Sequence, residues 1–277
     1  MTDVTARSAP AGAQAVQRAL GLLHCFQDNG PDLSASDLAR RTGLTVSTAH
    51  RLARTLVSMD FLEQDRLTTR YRLGPAVAEL GQLSFHQRGL HLAGPELAVL
   101  ARRTGGTADL AIRSGAHALI LVGDSVRPDT GLGLRRPLHS TALGKVLLAW
   151  PGPTAEPAAE APELTAFTDR TITERSLLEA ELARVRAAGH AVNDGESAVG
   201  VRSLAVPVLD AAGQARFALA VRGTPHSLPA ERLADVLREA HGCAAALQVL
   251  LLAPEQRPAR AGTATGPAPA AQEPDPG

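Results

Sequence analysis

Gly43 is the residue that most narrows what this chain can become. It separates two short stretches of helical apolar spacing, too close together for anything but a tight turn. Ahead of it, Ser34 is placed as an N-cap and Asp37 falls in the positive first turn, so a short helix runs to Gly43. Beyond it, from about Thr45 to Met59, Val46, Ala49, Leu52, Ala53 and Leu56 share one helical face. Ser47, Arg51, Arg54 and Ser58 then lie opposite, with Thr48 and His50 on the flanks. An earlier helix is expected from Val16, Ala19, Leu20 and Leu23 as its apolar face, ended by Asn29-Gly30-Pro31. Two strand-like pieces follow, Phe61 to Gln64 and Arg70 to Leu73, around the polar loop Asp65 to Thr69. Helix, helix, glycine turn, helix, hairpin is the order of a winged helix-turn-helix.

The polar face of the third helix is the first candidate site. Such a helix can lie in a major groove, where arginine pairs with guanine edges and short hydroxyls reach base or phosphate. Ser47 and Thr48 would come closest to the bases, followed by Arg51 and Arg54, with His50 beside them. Arg70 and Arg72 alternate with Tyr71, so both can point to one side and suit phosphate contact. Arg18 on the first helix is a further candidate for the DNA backbone. Residues 1–75 hold nine arginines against seven acids, a net of +2, so the electrostatic footprint is mild. A solvated amphipathic helix is the plainer alternative; the glycine turn and the hairpin favour recognition.

Composition bounds the rest of the chain. Its 277 residues allow one large domain or two modest ones, and 44% hydrophobic with 20% charged residues is a globular balance. Twenty-eight basic and 28 acidic residues cancel, which leaves only local patches for charged partners. Cys25 and Cys243 are far apart, without metal-ligand spacing, so neither a disulfide framework nor a structural metal is expected. The N-terminus has no apolar targeting segment and no run is long enough to span a bilayer, so no membrane association is expected and a cytoplasmic location follows. Of the basic residues 27 are arginine and one, Lys145, is lysine, a bias that warns against assigning chemistry to every arginine. Residues 1–13 and 254–277 are Pro-, Ala-, Gly- and Thr-rich and read as disordered. Between them, 14–75 form the first domain, 76–93 a linker helix and 94–253 a second domain.

The second domain reads as α/β. Strands are expected at Thr107 to Arg113, Ala118 to Val122, Arg202 to Leu209 and Ala215 to Gly223. Helices are expected at Ser140 to Trp150, at Glu174 to Ala188 (capped by Thr173 and stopped by Gly189) and at Leu228 to Leu252. No catalytic constellation stands out. His139 and Ser140 are adjacent, there is no G-x-S-x-G elbow, and His24-Cys25 lies inside a helix. Gly131-x-Gly133 lacks the third glycine and the helix of a dinucleotide site. Lys145 reads as a solvated charge or a domain contact. No cofactor is implied.

Several segments together resemble the IclR-type transcriptional regulators. They are Ala39-Arg40-Arg41-Thr42-Gly43-Leu44, Ser47-Thr48-Ala49-His50-Arg51-Leu52 and Tyr71-Arg72-Leu73-Gly74. In the second domain they are Pro137-Leu138-His139-Ser140-Thr141-Ala142-Leu143-Gly144-Lys145, Phe167-Thr168-Asp169-Arg170-Thr171-Ile172-Thr173 and Gly200-Val201-Arg202-Ser203-Leu204-Ala205. The similarity spans roughly residues 15 to 250. It implies an α+β chain: a winged helix-turn-helix, a linker helix and a GAF-like α/β effector-binding domain that also mediates oligomer contacts. The expected partners are double-stranded operator DNA, a small-molecule effector and further copies of the chain, as a homodimer or homotetramer. By resemblance, the effector pocket uses Asp at Asn193, Cys at Ser203 and, in some members, short hydroxyls at Ala220 and Arg222. All four positions depart here. Arg222 adds a fixed cation suited to a carboxylate, so a small carboxylate is the expected effector. It would be held by Arg222, Asn193, Ser203 and the backbone N–H groups of Ala142 and Leu143, over the small side chains of the Ala220 face. Two other classes stay open: a DNA-binding scaffold without a ligand and, less favoured, an enzyme with a fused helix-turn-helix.

Overall fold

The computed structural model describes residues 11–27, 32–126, 134–152 and 164–258. Residues 1–10 of the expected arm, the tail beyond 258, Asn29-Gly30-Pro31 and Gly131-x-Gly133 lie outside the described residues, whereas residues 11–13, read as part of that arm, are helical. The chain divides between Gly89 and Leu90 into two units.

In the first unit, α1 (Ala11–His24) is followed by α2 (Ala35–Thr42) and α3 (Val46–Ser58). Ser34 starts α2 with a capping box: its Oγ accepts the Asp37 N–H at 3.1 Å, and the Asp37 carboxylate accepts the Ser34 N–H at 3.1 Å. These bonds hold the Asp37 carboxyl below its usual range. Gly43 ends α2 at φ +67°, a left-handed conformation that costs glycine least. Two residues later Thr45 caps α3 by accepting the Thr48 N–H. The hairpin β1 (Leu62–Gln64) and β2 (Tyr71–Leu73) pairs Glu63 with Arg72, and an isolated bridge from Tyr71 to Leu33 ties it back to the entry of α2. Leu22, Leu38, Ala49, Ala53, Leu62 and Tyr71 form the core.

The expected face of α1 is corrected. Val16 and Leu20 are 59% and 51% exposed, whereas Leu22 and Cys25 are buried. Apolar residues surround this helix, so their period alone does not say which side meets the core. Val46 likewise stays exposed at the start of α3. The linker is not one helix: α4 (Pro75–Gln87), which buries no residue, is followed by Gly89 at φ +67° and a short 3-10 turn.

The second unit opens with α5 (Ala93–Thr104), which sequence reasoning did not place. Its six-stranded sheet, all antiparallel, has the order β5-β4-β3-β8-β7-β6. The strands are β3 (Thr107–Ser114), β4 (His117–Gly123), β5 (Arg135–Pro137), β6 (Ala191–Asp194), β7 (Arg202–Leu209) and β8 (Ala215–Gly223). Between β5 and β6 come α6 (Ala142–Ala149) and α7 (Arg175–Ala188), and α8 (Leu233–Leu251) follows β8. One sheet face carries Ala111, Ala118, Ala191, Ala205, Ala218 and Ala220, and these small side chains admit the apolar side of α6. Gly144 brings α6 onto Leu138 so closely that a Cβ there would sit 2.2 Å from the Leu138 carbonyl oxygen. The opposite face, with Leu204, Val206, Leu219 and Val221, packs under α5 and α8.

Several expected boundaries move. α6 begins at Ala142 with Thr141 as its cap, and Glu174, not Thr173, holds the cap position of α7 without a side-chain bond. Leu178 and Val185 of α7 are buried while Leu177 is exposed. β5 and β6 are strands of three and four residues, too short to show a period. The segment 254–258, read as the start of a disordered tail, makes a 3-10 turn whose Gln256 carbonyl accepts the Ala211 N–H at 2.8 Å. No helix among the described residues is long and apolar enough to cross a membrane.

Candidate functional site

On α3 the expected stripe is present. Ser47, His50, Arg51, Arg54 and Ser58 are exposed, and no carboxylate among the described residues pairs with Arg51 or Arg54. Thr48 is half-buried, its hydroxyl accepting from Thr45 at 2.9 Å, so it serves the cap as well as the polar face. Arg18 is exposed on α1 and lines an open groove of about 730 Å³ with His24 and Arg41. Arg41 also donates to the Cys25 carbonyl at 2.8 Å, tying the end of α2 to the end of α1.

The hairpin arginines depart from expectation. Arg70 donates to the Asp32 carboxylate and carbonyl and lies 3.6 Å from Asp37. It braces β2 against the entry of α2. Arg72 pairs with Glu63 across the hairpin at 2.6 Å. Both carry partners within the protein, though the Arg72 side chain remains 67% exposed.

In the second unit, register assembles three of the expected effector residues. Asn193 pairs with Ser203 and Ser203 with Arg222, a row across β6, β7 and β8. Alternation puts all three on the α6 side, and Ala220 lies one row inward, between Ala205 and Asp109. Ala142 and Leu143 form the first turn of α6, where their N–H groups have no intrahelical acceptor. Lys145, just beyond, reaches the Val192 carbonyl beside Asn193, so the first turn and the row are neighbours. No carboxylate among the described residues pairs with Arg222.

Asn193 has a narrower role than expected. Its Oδ1 accepts the N–H groups of Glu196 at 2.8 Å and Ser197 at 3.4 Å, and its Nδ2 donates to Ser197 Oγ at 2.7 Å. The amide shapes its own loop, and one N–H donor remains. Two residues that sequence reasoning passed over belong here. Burial and then Arg222 push the Arg136 guanidinium down, so Arg136 faces the same region. Ser140 is fully buried just before the Thr141 cap, its Oγ without a hydrogen-bond partner among the described residues.

Against this row stands a buried charge cluster. Lys145, 1% exposed, donates to Glu181 at 2.9 Å, to Glu196 at 2.6 Å and to the Val192 carbonyl at 3.1 Å. It is not the solvated charge that was expected. Three protons leave an ammonium in three directions, which the planar fork of arginine does not reproduce. The one lysine among 27 arginines was therefore a signal in the sequence itself. Arg184 pairs with the other oxygen of Glu181. Glu196 Oε2 is buried without a hydrogen-bond partner among the described residues, and desolvation outweighs Lys145 in pushing the Glu196 carboxyl above its ordinary value.

Comparison with known proteins agrees with both units. Residues 86–249 match the family model of the bacterial transcriptional regulator IclR C-terminal domain, and residues 15–66 match that of the IclR helix-turn-helix domain. The chain is 35% identical over 205 residues to the HTH-type transcriptional regulator XynR of Escherichia coli K12, covering 70% of this chain and 80% of that one. It is 31% identical over 248 residues to the HTH-type transcriptional repressor AllR of Klebsiella pneumoniae, covering 84% and 90%. Among solved structures, an IclR transcriptional regulator from Silicibacter sp. TM1040 superposes with a TM-score of 0.77 at 28% identity, covering 87% of this chain and 99% of that one. One from Alicyclobacillus acidocaldarius gives 0.73 at 25% identity, covering 86% and 99%.

Proposed function

The chain belongs to the IclR family of bacterial transcriptional regulators, and from that premise we propose how its two units divide the work. It is a DNA-binding regulator with an effector-binding C-terminal domain, and its relatives are regulators rather than enzymes. α3 enters the major groove with Ser47, Arg51 and Arg54 toward base edges and Thr48 and His50 at the margins. Exposed arginines on one polar stripe, without an ion pair among the described residues, support this assignment.

The effector is a small carboxylate seated between the Asn193–Ser203–Arg222 row and the first turn of α6. Arg222 carries this reading: it is a fixed cation in that row with no internal acid among the described residues. A guanidinium offers two parallel N–H donors that match a carboxylate, and the helix start adds further donors at its positive end. The test is calorimetric titration of a carboxylate panel against wild type and Arg222→Ala. Binding that weakens about tenfold or more in the variant supports the assignment. Uncharged ligands alone binding, or carboxylate binding indifferent to the substitution, overturns it. A panel in which nothing binds favours a regulator without a ligand.

DNA is engaged by a symmetric dimer, because two-fold axes in protein and palindromic operator coincide. Val16 and Leu20 on α1 and Leu80 and Leu83 on α4, all exposed, supply apolar surface for a second copy.

A further inference from the structure

We propose that the effector carries a hydroxyl on the first or second carbon beyond its carboxylate, donated to Glu196 Oε2 and met by Ser140 Oγ. This rests on the Arg222 row holding a carboxylate, and adds the second group that such a ligand must present.

Donors and acceptors are unequal in number around that row. Arg222, Ser203, the spare N–H of Asn193 and the N–H groups of Ala142 and Leu143 can all donate, and a carboxylate consumes such donors. Glu196 Oε2 is the reverse, a buried acceptor with no donor among the described residues. Lys145 cannot serve it, because its three protons go to Glu196 Oε1, Glu181 and the Val192 carbonyl. Glu196 stands at the Asn193 end of the row, where its N–H donates to Asn193 Oδ1 at 2.8 Å. Ser140, fully buried one residue before the Thr141 cap of α6, has a hydroxyl without a partner among the described residues. Buried polar atoms left bare are rare and costly, so two of them beside the start of α6 point to a group that fills them.

The chemistry of that group follows from what surrounds Oε2. An ionised carboxylate has no proton to give and brings a like charge toward it; a carbonyl has no proton either. An ammonium can donate, but Lys145 already lies 2.6 Å from the same carboxylate. Lys145 and Arg184 also already match Glu181 and Glu196 in number. A hydroxyl donates to Oε2 without adding charge and accepts from Ser140 in return. The direct link from Glu196 to Asn193 keeps it close to the carboxylate, hence the first or second carbon.

The experiment titrates the full-length chain calorimetrically with two matched sets of ligands. One is lactate, pyruvate, propionate and alanine; the other is 3-hydroxybutyrate, acetoacetate, butyrate and 3-aminobutyrate. In at least one set the hydroxy acid should bind about tenfold or more tighter than its oxo, amino and unsubstituted analogues. In Glu196→Gln the Lys145 ammonium keeps the amide oxygen and leaves the amide N–H groups at the place of Oε2, so an acceptor becomes a donor. The hydroxy-to-oxo ratio of affinities should then fall about tenfold, which a merely structural role of Glu196 would not cause. Ser140→Ala should lower the hydroxy-to-unsubstituted ratio, and is decisive where Glu196→Gln does not fold. An amino analogue binding tightest, wild-type ratios near one, or ratios unchanged in either folded variant overturns the proposal and leaves the carboxylate reading standing. Failure of every carboxylate to bind, or binding indifferent to Arg222→Ala, removes that reading as well.

Discussion

Lys145 and Arg51 show how differently two cations in one chain are used. Arg51 faces outward with no acidic partner among the described residues, so its charge is available to a partner. Arg51→Ala is expected to lower specific operator affinity by about 1–3 kcal/mol more than affinity for random DNA. Equal losses on both, measured by fluorescence anisotropy, would make it a phosphate contact instead. Lys145 faces inward and holds two carboxylates, one of which, Glu196, keeps an oxygen buried without a partner among the described residues. Because the folded protein raises the Glu196 carboxyl above its unfolded value, the ionised form costs stability at neutral pH, and that cost is relieved as pH falls through the raised value. Asp37 and Asp194 act oppositely: their lowered values contribute stability above the ordinary carboxylate range that is lost as pH falls through them. Between neutrality and about pH 5, wild type should therefore gain melting temperature relative to Glu196→Gln. A constant difference, or wild type losing ground, would contradict the assignment. The stripe of α3 was legible because helical period fixes which side chains share a face. The partners of Arg70, Arg72 and Asn193 were not, since Asp32, Glu63 and Ser197 meet them through turns and register that no period records.

At the scale of elements, the parts with strong local signals were placed from sequence and the others were not. Ser34, Gly43 and Gly189 marked helix ends by their own chemistry, and all three do so in the structure. β5, at three residues, has too little length to reveal alternation, and α5 was passed over beside the expected linker. The face of α1 was misjudged because a helix with apolar residues on two sides needs a neighbour to choose between them. α6 is the element on which the proposed effector site depends most. Its first turn is packed by Gly144 onto the segment that follows β5, where a side chain would collide with the backbone of Leu138. Gly144→Ala should displace α6 and destabilise the protein by about 1–3 kcal/mol, the usual range for overpacking. An unchanged melting temperature would show that α6 can shift at little cost.

For the whole molecule, the two units must share an equilibrium if effector binding is to alter transcription. In the proposed dimer α4 is an expected contact, since none of its side chains is buried and Leu80 and Leu83 face outward. Leu80→Glu with Leu83→Glu should shift sedimentation from dimer toward monomer and weaken operator binding together; a dimer that persists would move the interface elsewhere. Linkage then sets the central test. Operator affinity is measured at rising concentrations of a carboxylate that binds wild type, and affinity for that carboxylate with and without operator. Both should change by one and the same factor, about 5–150-fold, and Arg222→Ala should abolish the change while leaving operator affinity in the absence of carboxylate intact. An operator affinity that stays constant while the carboxylate site fills to saturation would contradict the account.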